Sequence, residues 1–242
     1  MSKKKISKKD QPPRPVRLIR AEYTKLMAVM DPEKPDQTIG DAVGIYAYFD
    51  FDGEPIYVGQ TSLKFRDRVG RHLTGQRSDA VAKFILDPFE VAEVAMWSIP
   101  AVATAMNPNK PDEKATTAQK KNLLAPFEYS VYKHLESQSR FGAVLNEGVI
   151  PPTALVELPK VVRVRLIPEE LWDDRKHSDT RIARRASTIS RLSQMISERE
   201  VSGGMRRTLR LQAKRLTWLA EERIIEIGAE TPDAEDEAIL DD

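Results

Sequence analysis

Two short tyrosine-bearing strings, Gly44-Ile45-Tyr46 and Tyr57-Val58-Gly59, flank an Asp52-Gly53 pair. Asp-Gly between runs of alternating apolar residues is among the strongest short-range signals for a β-hairpin. With Asp52 and Gly53 as a two-residue loop, Phe51 pairs with Glu54, Tyr48 lies opposite Tyr57, and Tyr46 lies opposite Gly59. Opposed residues share a face and successive residues alternate between faces. Tyr46, Tyr48 and Tyr57 then project from one side, and Val43, Ile45, Ala47, Ile56 and Val58 from the other. The apolar side makes a core. The tyrosine side, beside a glycine that leaves backbone space, makes a floor for something polar, although tyrosines also fill half-buried strand faces with no further role. An odd number of loop residues takes Tyr46 and Tyr57 off their shared face.

Downstream, Phe65, Val69 and Leu73 recur at four-residue spacing and form one apolar stripe of a helix, with Lys64, Arg68 and His72 as a cationic stripe beside it. A helix entered directly from the hairpin can aim that stripe over the tyrosines; a solvated flank is the ordinary use of such residues. Further on, Glu128 has Leu124, Val131 and Tyr132 as helical neighbours, which sets a carboxylate on or beside a face that the helix buries. A carboxylate kept there pairs with a base or binds a cation, and hard divalent cations take oxygen ligands. Pro126 either opens a fresh helix or kinks one that starts near Thr117. Asn146, in Leu145-Asn146-Glu147-Gly148, reads as turn chemistry.

Taken in order, Tyr46, Tyr57, Arg68, His72, Glu128 and Asn146 resemble the signature of the GIY-YIG nuclease superfamily: two tyrosine strands, a helix bearing Arg and then His, a helical Glu and a later Asn. The likeness spans roughly residues 41 to 147, with Val58 where isoleucine is commoner. It implies an α/β fold in which a small antiparallel three-stranded sheet is flanked by helices. It also implies a divalent-metal-dependent endonuclease acting on DNA, with RNA left open. In that reading Tyr46 acts as general base or aligns the water, and Tyr57 supports it. Arg68 neutralises phosphate charge, His72 orients its neighbours or relays a proton, and Glu128 holds one Mg²⁺ or Mn²⁺. A phenolate base requires nearby positive charge, because an unperturbed tyrosine titrates near pH 10. A stand-alone core with a helical extension is similar to restriction or phage-defence members. The alternatives are a catalytically silent nucleic-acid-binding or assembly module on the same fold, and a DNA-repair or mobile-element nicking nuclease.

Other chemistries find no inventory. The chain has no cysteine and three histidines, His72, His134 and His177, so thiolate sites are excluded and a histidine-rich zinc site is disfavoured. No Walker loop, nucleophile elbow or dinucleotide glycine motif occurs. Absence of disulfides suits a reducing cytoplasm, and no apolar run is long enough to span a bilayer, so a cytoplasmic protein without membrane contact is the expectation.

The net charge of +1 conceals strong segregation. Residues 1 to 20 carry eight Lys or Arg against one Asp, and residues 230 to 242 carry seven acidic residues and no basic one. The reading is a basic disordered arm (1–19), a helix over Arg20 to Met30 with a Pro35-containing linker (20–40), the nuclease-like core (41–150), an extension (151–228) and an acidic disordered tail (229–242). Within the core, Asp79 to Leu86 reads as helix, Phe89 to Ile99 as the third strand, and Pro100 to Asn122 as an insertion or mobile loop. The extension holds a strand over Lys160 to Ile167, a short helix from Pro168, and two helices, Asp179 to Glu200 and Met205 to Ile227, split by Ser202-Gly203-Gly204. From residue 178 to 223 there are ten Arg and one Lys against five Asp or Glu. Arginine on helical faces suits phosphate contact. The candidate DNA-contacting residues are Lys64 and Arg71 on the cationic helix and Arg184, Arg185, Arg207 and Arg210 on the helical pair. The apolar stripe of that pair also offers a homodimer or a defence-system partner a surface.

Overall fold

The hairpin forms, but its loop has three residues rather than two. In the computed structural model, which describes residues 11–73, 90–146 and 148–229 without the side chains of residues 71–73 and Pro111, strand β3 (Gly44–Phe49) runs antiparallel to β4 (Pro55–Thr61). Asp50 N–H donates to the Glu54 carbonyl at 3.0 Å, which leaves Phe51, Asp52 and Gly53 as the loop, and Gly53 takes φ 75°. That is the three-residue hairpin loop that ends on a left-handed glycine. The extra residue is absorbed at once. The register shifts between Tyr48 and Phe49, so that Tyr48 still faces Tyr57 and Tyr46 still faces Gly59. The residue left over is Ile56, and it turns inward on the tyrosine side beside Tyr46 and Tyr48, not on the opposite face where strict alternation puts it.

The sheet has four strands, not three, in the order β4-β3-β5-β8. β5 (Glu93–Ser98) pairs with β3, and β8 (Val161–Arg165) pairs with β5, Val94 opposite Val164 and Met96 opposite Val162. The strand read in the extension therefore completes the sheet. Val162 and Val164 turn inward, and Val161, Arg163 and Arg165 turn outward, the arginines as suits an edge strand.

Each face of the sheet carries its own core. On one side Ile45, Ala47, Val58, Ala95 and Trp97 meet Leu124, Val131 and Leu135 of the long helix Thr117–Gln138. On the other, Tyr46, Tyr48, Val94 and Met96 meet Phe65 and Val69 of the helix Phe65–Leu73, and Leu192, Met205 and Leu211 of the C-terminal helical pair. The seven helices among the described residues are α1 (Arg14–Leu26), α2 (Phe65–Leu73), α3 (Pro100–Ala103), α4 (Thr117–Gln138), α5 (Glu169–Lys176), α6 (Ser178–Glu198) and α7 (Gly203–Glu226). Apolar residues of α6 and α7 are thus buried against this chain's own sheet.

Three other boundaries differ from the sequence reading. α1 begins at Arg14, after Pro13 and with Pro15 in its first turn, and ends at Leu26. Met30–Asp31 (β1) then turns back on Lys34–Thr38 (β2), because buried Asp31 accepts from Glu33 N–H, Gln37 and Ser98. The Pro100–Asn122 stretch is ordered as α3, a small hairpin of β6 (Met106–Asn107) and β7 (Lys110–Lys114), and the first turn of α4, which a Thr116–Gln119 capping box starts. The expected helix over 79–86, most of the basic arm and nearly all of the acidic tail lie outside the described residues. No described helix is long and apolar enough to cross a membrane.

Candidate active site

β4 is an edge strand, so groups from both faces of the sheet meet around it near Gly59. Gly59 is small of necessity: a β-carbon there would stand 2.8 Å from the Tyr46 phenol oxygen and 2.7 Å from Cε1 of Tyr57. Gly44, the glycine of the other string, is held against the Trp97 carbonyl, where no β-carbon fits. The three rings pack as a cluster, Tyr46 and Tyr57 with centroids 5.9 Å apart and Tyr46 edge-on to Tyr48 at 5.6 Å.

The tyrosine face is mostly core rather than an open floor. Tyr46 and Tyr48 have no solvent exposure, and Tyr57 alone of the three is half-exposed. Arg68, on α2, reaches back across this face and its Nε donates to Tyr46 Oη at 3.3 Å, while Tyr46 also shares a hydrogen bond with Tyr57. Burial drives the Tyr46 pKa well above the ordinary tyrosine value, and the neighbouring Tyr57 adds to the rise; the pull of Arg68 in the other direction is smaller. Tyr46 is therefore a neutral phenol that accepts from Arg68.

Glu128 comes from the opposite face. Pro126 lies inside α4, and the helix continues through it from Thr117. Between buried Leu124 and Val131, Glu128 leans over the β4 edge, where Gln60 Nε2 donates to its Oε2 at 2.8 Å. Burial raises the Glu128 pKa above the usual carboxylate value, against the lowering effect of the Gln60 hydrogen bonds and of Lys121. An open cleft of ≈ 470 Å³ joins the two faces, with Tyr57, Gly59, Gln60, Arg68, Lys121 and Glu128 in its wall. Among the described residues its wall holds two cations and one carboxylate. A hard cation fits this donor set: Gln60 Oε1, beside the Glu128 carboxylate, is a buried oxygen with no hydrogen-bond partner. No group of three metal-ligating side chains occurs among the described residues.

No family model, curated protein or solved structure matches the chain. The site stands on its own geometry.

Of the residues singled out from sequence, Tyr57, Arg68 and Glu128 line the cleft, and Tyr46 stands directly behind it, bonded to Arg68. Asn146 does not line it. Its amide side chain closes a two-bond ring with the backbone of Val58, accepting from N–H at 2.8 Å and donating to the carbonyl at 2.7 Å, and so caps the free edge of β4 as another strand would. The side chains of Arg71 and His72 lie outside the described residues. Lys64 is tied to Asp41 at 2.8 Å, beside Arg66 on the same carboxylate.

The arginines of the C-terminal pair divide into two sets. Arg185, expected on a DNA-facing surface, is buried instead, because Asp50, just before the hairpin loop, and Asp52 within it need counter-charges. Asp50 Oδ2 accepts from Arg185 at 2.8 Å and Arg215 at 2.5 Å; Arg181 grips Asp52 with both terminal nitrogens. Arg184 lies 3.9 Å from Glu90. Arg207 and Arg210 are exposed.

Sequence reasoning missed Gln60 and Lys121. Gln60 follows the Tyr57-Val58-Gly59 string directly, and strand alternation turns it to the face opposite Tyr57's, where α4 lies. Lys121 stands seven residues before Glu128, two helical turns along the same face.

Proposed function

We infer that the chain is a divalent-metal-dependent endonuclease that hydrolyses phosphodiester bonds in DNA at the cleft beside Gly59. The observation that carries this reading is the meeting of Arg68 and Tyr57 from one face of the sheet with Glu128 from the other around a single strand edge. The order of these residues along the chain supports it through the resemblance to the GIY-YIG superfamily.

In this account a phosphate enters the open cleft and its non-bridging oxygens meet the guanidinium of Arg68, with the Lys121 ammonium as a second positive charge. Arg68 is held in place by the Tyr46 phenol, so Tyr46 acts as a positioning residue. Tyr57, at the cleft surface, orients the attacking water. A water oxygen bonds to phosphorus as the ester oxygen departs, and the water proton leaves to solvent. Glu128, with Gln60 beside it, would hold the Mg²⁺ or Mn²⁺, which when bound offsets charge on the departing oxygen. One carboxylate among the described cleft residues suits a single-metal site. The buried phenol of Tyr46 argues against phenolate base catalysis. Restriction or phage defence is the setting that the resemblance implies.

A second reading, a nucleic-acid-binding module that does not cut, draws on the scarcity of carboxylates around the cleft. A cleavage assay on labelled DNA with Mg²⁺, Mn²⁺ or EDTA separates the two readings.

A further inference from the structure

A second groove, of ≈ 200 Å³, is lined by Asn146 and Val149 of the chain after α4, Tyr132 of α4, and Arg207, Arg210 and Lys214 of α7. The Asn146 clamp ties its wall to the strand that borders the cleft. Asn146 lines the groove and holds Val58, and Val58 lies between Tyr57 and Gly59, which line the cleft. On α4, Tyr132 follows Glu128 by four residues, about 6 Å along the helix axis.

Arg207, Arg210 and Lys214 are spaced three and four apart and so share one face of α7. All three are exposed, and none is ion-paired with a described residue. On the same helical pair Arg181, Arg185 and Arg215 are all neutralised by Asp50 or Asp52. Three cations along two turns of helix, with no carboxylate among the described groove-lining residues, repel one another and favour an anion. The Tyr132 hydroxyl engages Glu136 on the next turn of α4. Two aromatic rings, Tyr132 and Phe141, lie in the same groove. Cations that track a backbone, next to rings on which bases stack, are the combination that binds a single nucleic-acid strand.

We propose that this groove receives the single strand that runs to or from the phosphate in the cleft. Its phosphates lie against Arg207, Arg210 and Lys214, and an unpaired base lies against Tyr132 or Phe141. The groove, of ≈ 200 Å³, is on the scale of a nucleotide. This proposal rests on the nuclease reading of the cleft for its direction, and on the groove itself for its chemistry.

The test is binding of the full chain, in EDTA, to a fluorescein-labelled single-stranded oligonucleotide across a salt series. Removing three phosphate contacts lowers the slope of log affinity against log salt by about 2, at roughly 0.7 per contact on a single strand. The triple variant R207A/R210A/K214A, altered only at the surface, is expected to bind more weakly with that smaller slope. Tyr132→Leu is expected to weaken binding without changing the slope. Parental affinity and slope in the triple variant overturn the proposal, as does failure of the parent to bind. Poly-glutamate bound more tightly than the oligonucleotide, with the same dependence on the three cations, assigns the groove to an acidic peptide instead and overturns it equally. Glu128-dependent cleavage combined with unchanged binding by the triple variant would sink the groove and leave the nuclease; groove-dependent binding without cleavage would do the reverse.

Discussion

Gly59 and Tyr46 face each other across β4 and β3 with no space between them: a β-carbon on Gly59 would lie 2.8 Å from the Tyr46 phenol oxygen. Gly59→Ala must displace that ring and the ring of Tyr57, both packed in the tyrosine cluster. Overpacking of this kind costs about 1–3 kcal/mol. Urea unfolding should show that loss, and cleavage should fall with it; a variant as stable as the parent contradicts the packing described.

Asn146 supplies the outer edge of β4 with two hydrogen bonds to Val58. Asn146→Ala leaves both backbone groups without a partner, at a cost of about 1–3 kcal/mol. Hydrogen exchange should report it locally, as a faster-exchanging Val58 amide with the helices protected as before.

Asp50 sits at the centre of three arginines, two of them bonded to one of its oxygens. Burial alone would raise its pKa, but Arg215, Arg185 and Arg181 outweigh burial and hold it below the ordinary aspartate value. A depressed folded-state pKa contributes stability that is present above the unfolded value, about 3.9, and is lost as pH falls through the folded one. Asp50→Ala should therefore destabilise the protein by about 3–5 kcal/mol at neutral pH, because it leaves buried arginines uncompensated. The gap between variant and parent should narrow in acid.

Glu128 has the opposite shift. Burial raises its pKa, so its carboxylate takes up a proton at higher pH than an exposed glutamate does. Cation affinity should then fall by about tenfold per pH unit below that pKa, because one proton competes with the metal. Calorimetry with Mn²⁺ across a pH series checks this, and Glu128→Gln should bind weakly at every pH. A raised folded-state pKa also means that its contribution to stability is full below the unfolded pKa and lost as pH rises through the folded one. In EDTA at neutral pH, Glu128→Gln should melt above the parent.

How far the sequence reached depends on how local the cause is. The face shared by Tyr46 and Tyr57 follows from two-residue periodicity and an Asp-Gly turn, and it survives a three-residue loop because Ile56 bulges just beyond that loop. α2, α6 and α7 carry regular apolar spacing, so their positions were legible within a few residues. Distant partners were not. Asp50 reads as an ordinary loop residue until Arg215, 165 positions away, closes on it. Asn146 reads as a turn until its side chain meets Val58, 88 positions earlier. Val161–Arg165 was legible as a strand, but nothing in its own residues names β5 as its neighbour. The Pro100–Asn122 stretch looked irregular because its hairpin and first helical turn are short and polar, with no apolar period to read.

The central claim is that the cleft beside Gly59 cuts DNA with a divalent cation held at Glu128. The most direct test incubates the purified full chain with labelled single- and double-stranded DNA in Mg²⁺, Mn²⁺ or EDTA, beside Glu128→Ala and Tyr46→Phe. The account predicts metal-dependent cleavage that disappears with Glu128→Ala. It predicts a fall of about 10²-fold with Tyr46→Phe, where Arg68 loses its hold. Intact DNA under every metal condition, or cleavage that survives both substitutions, contradicts it.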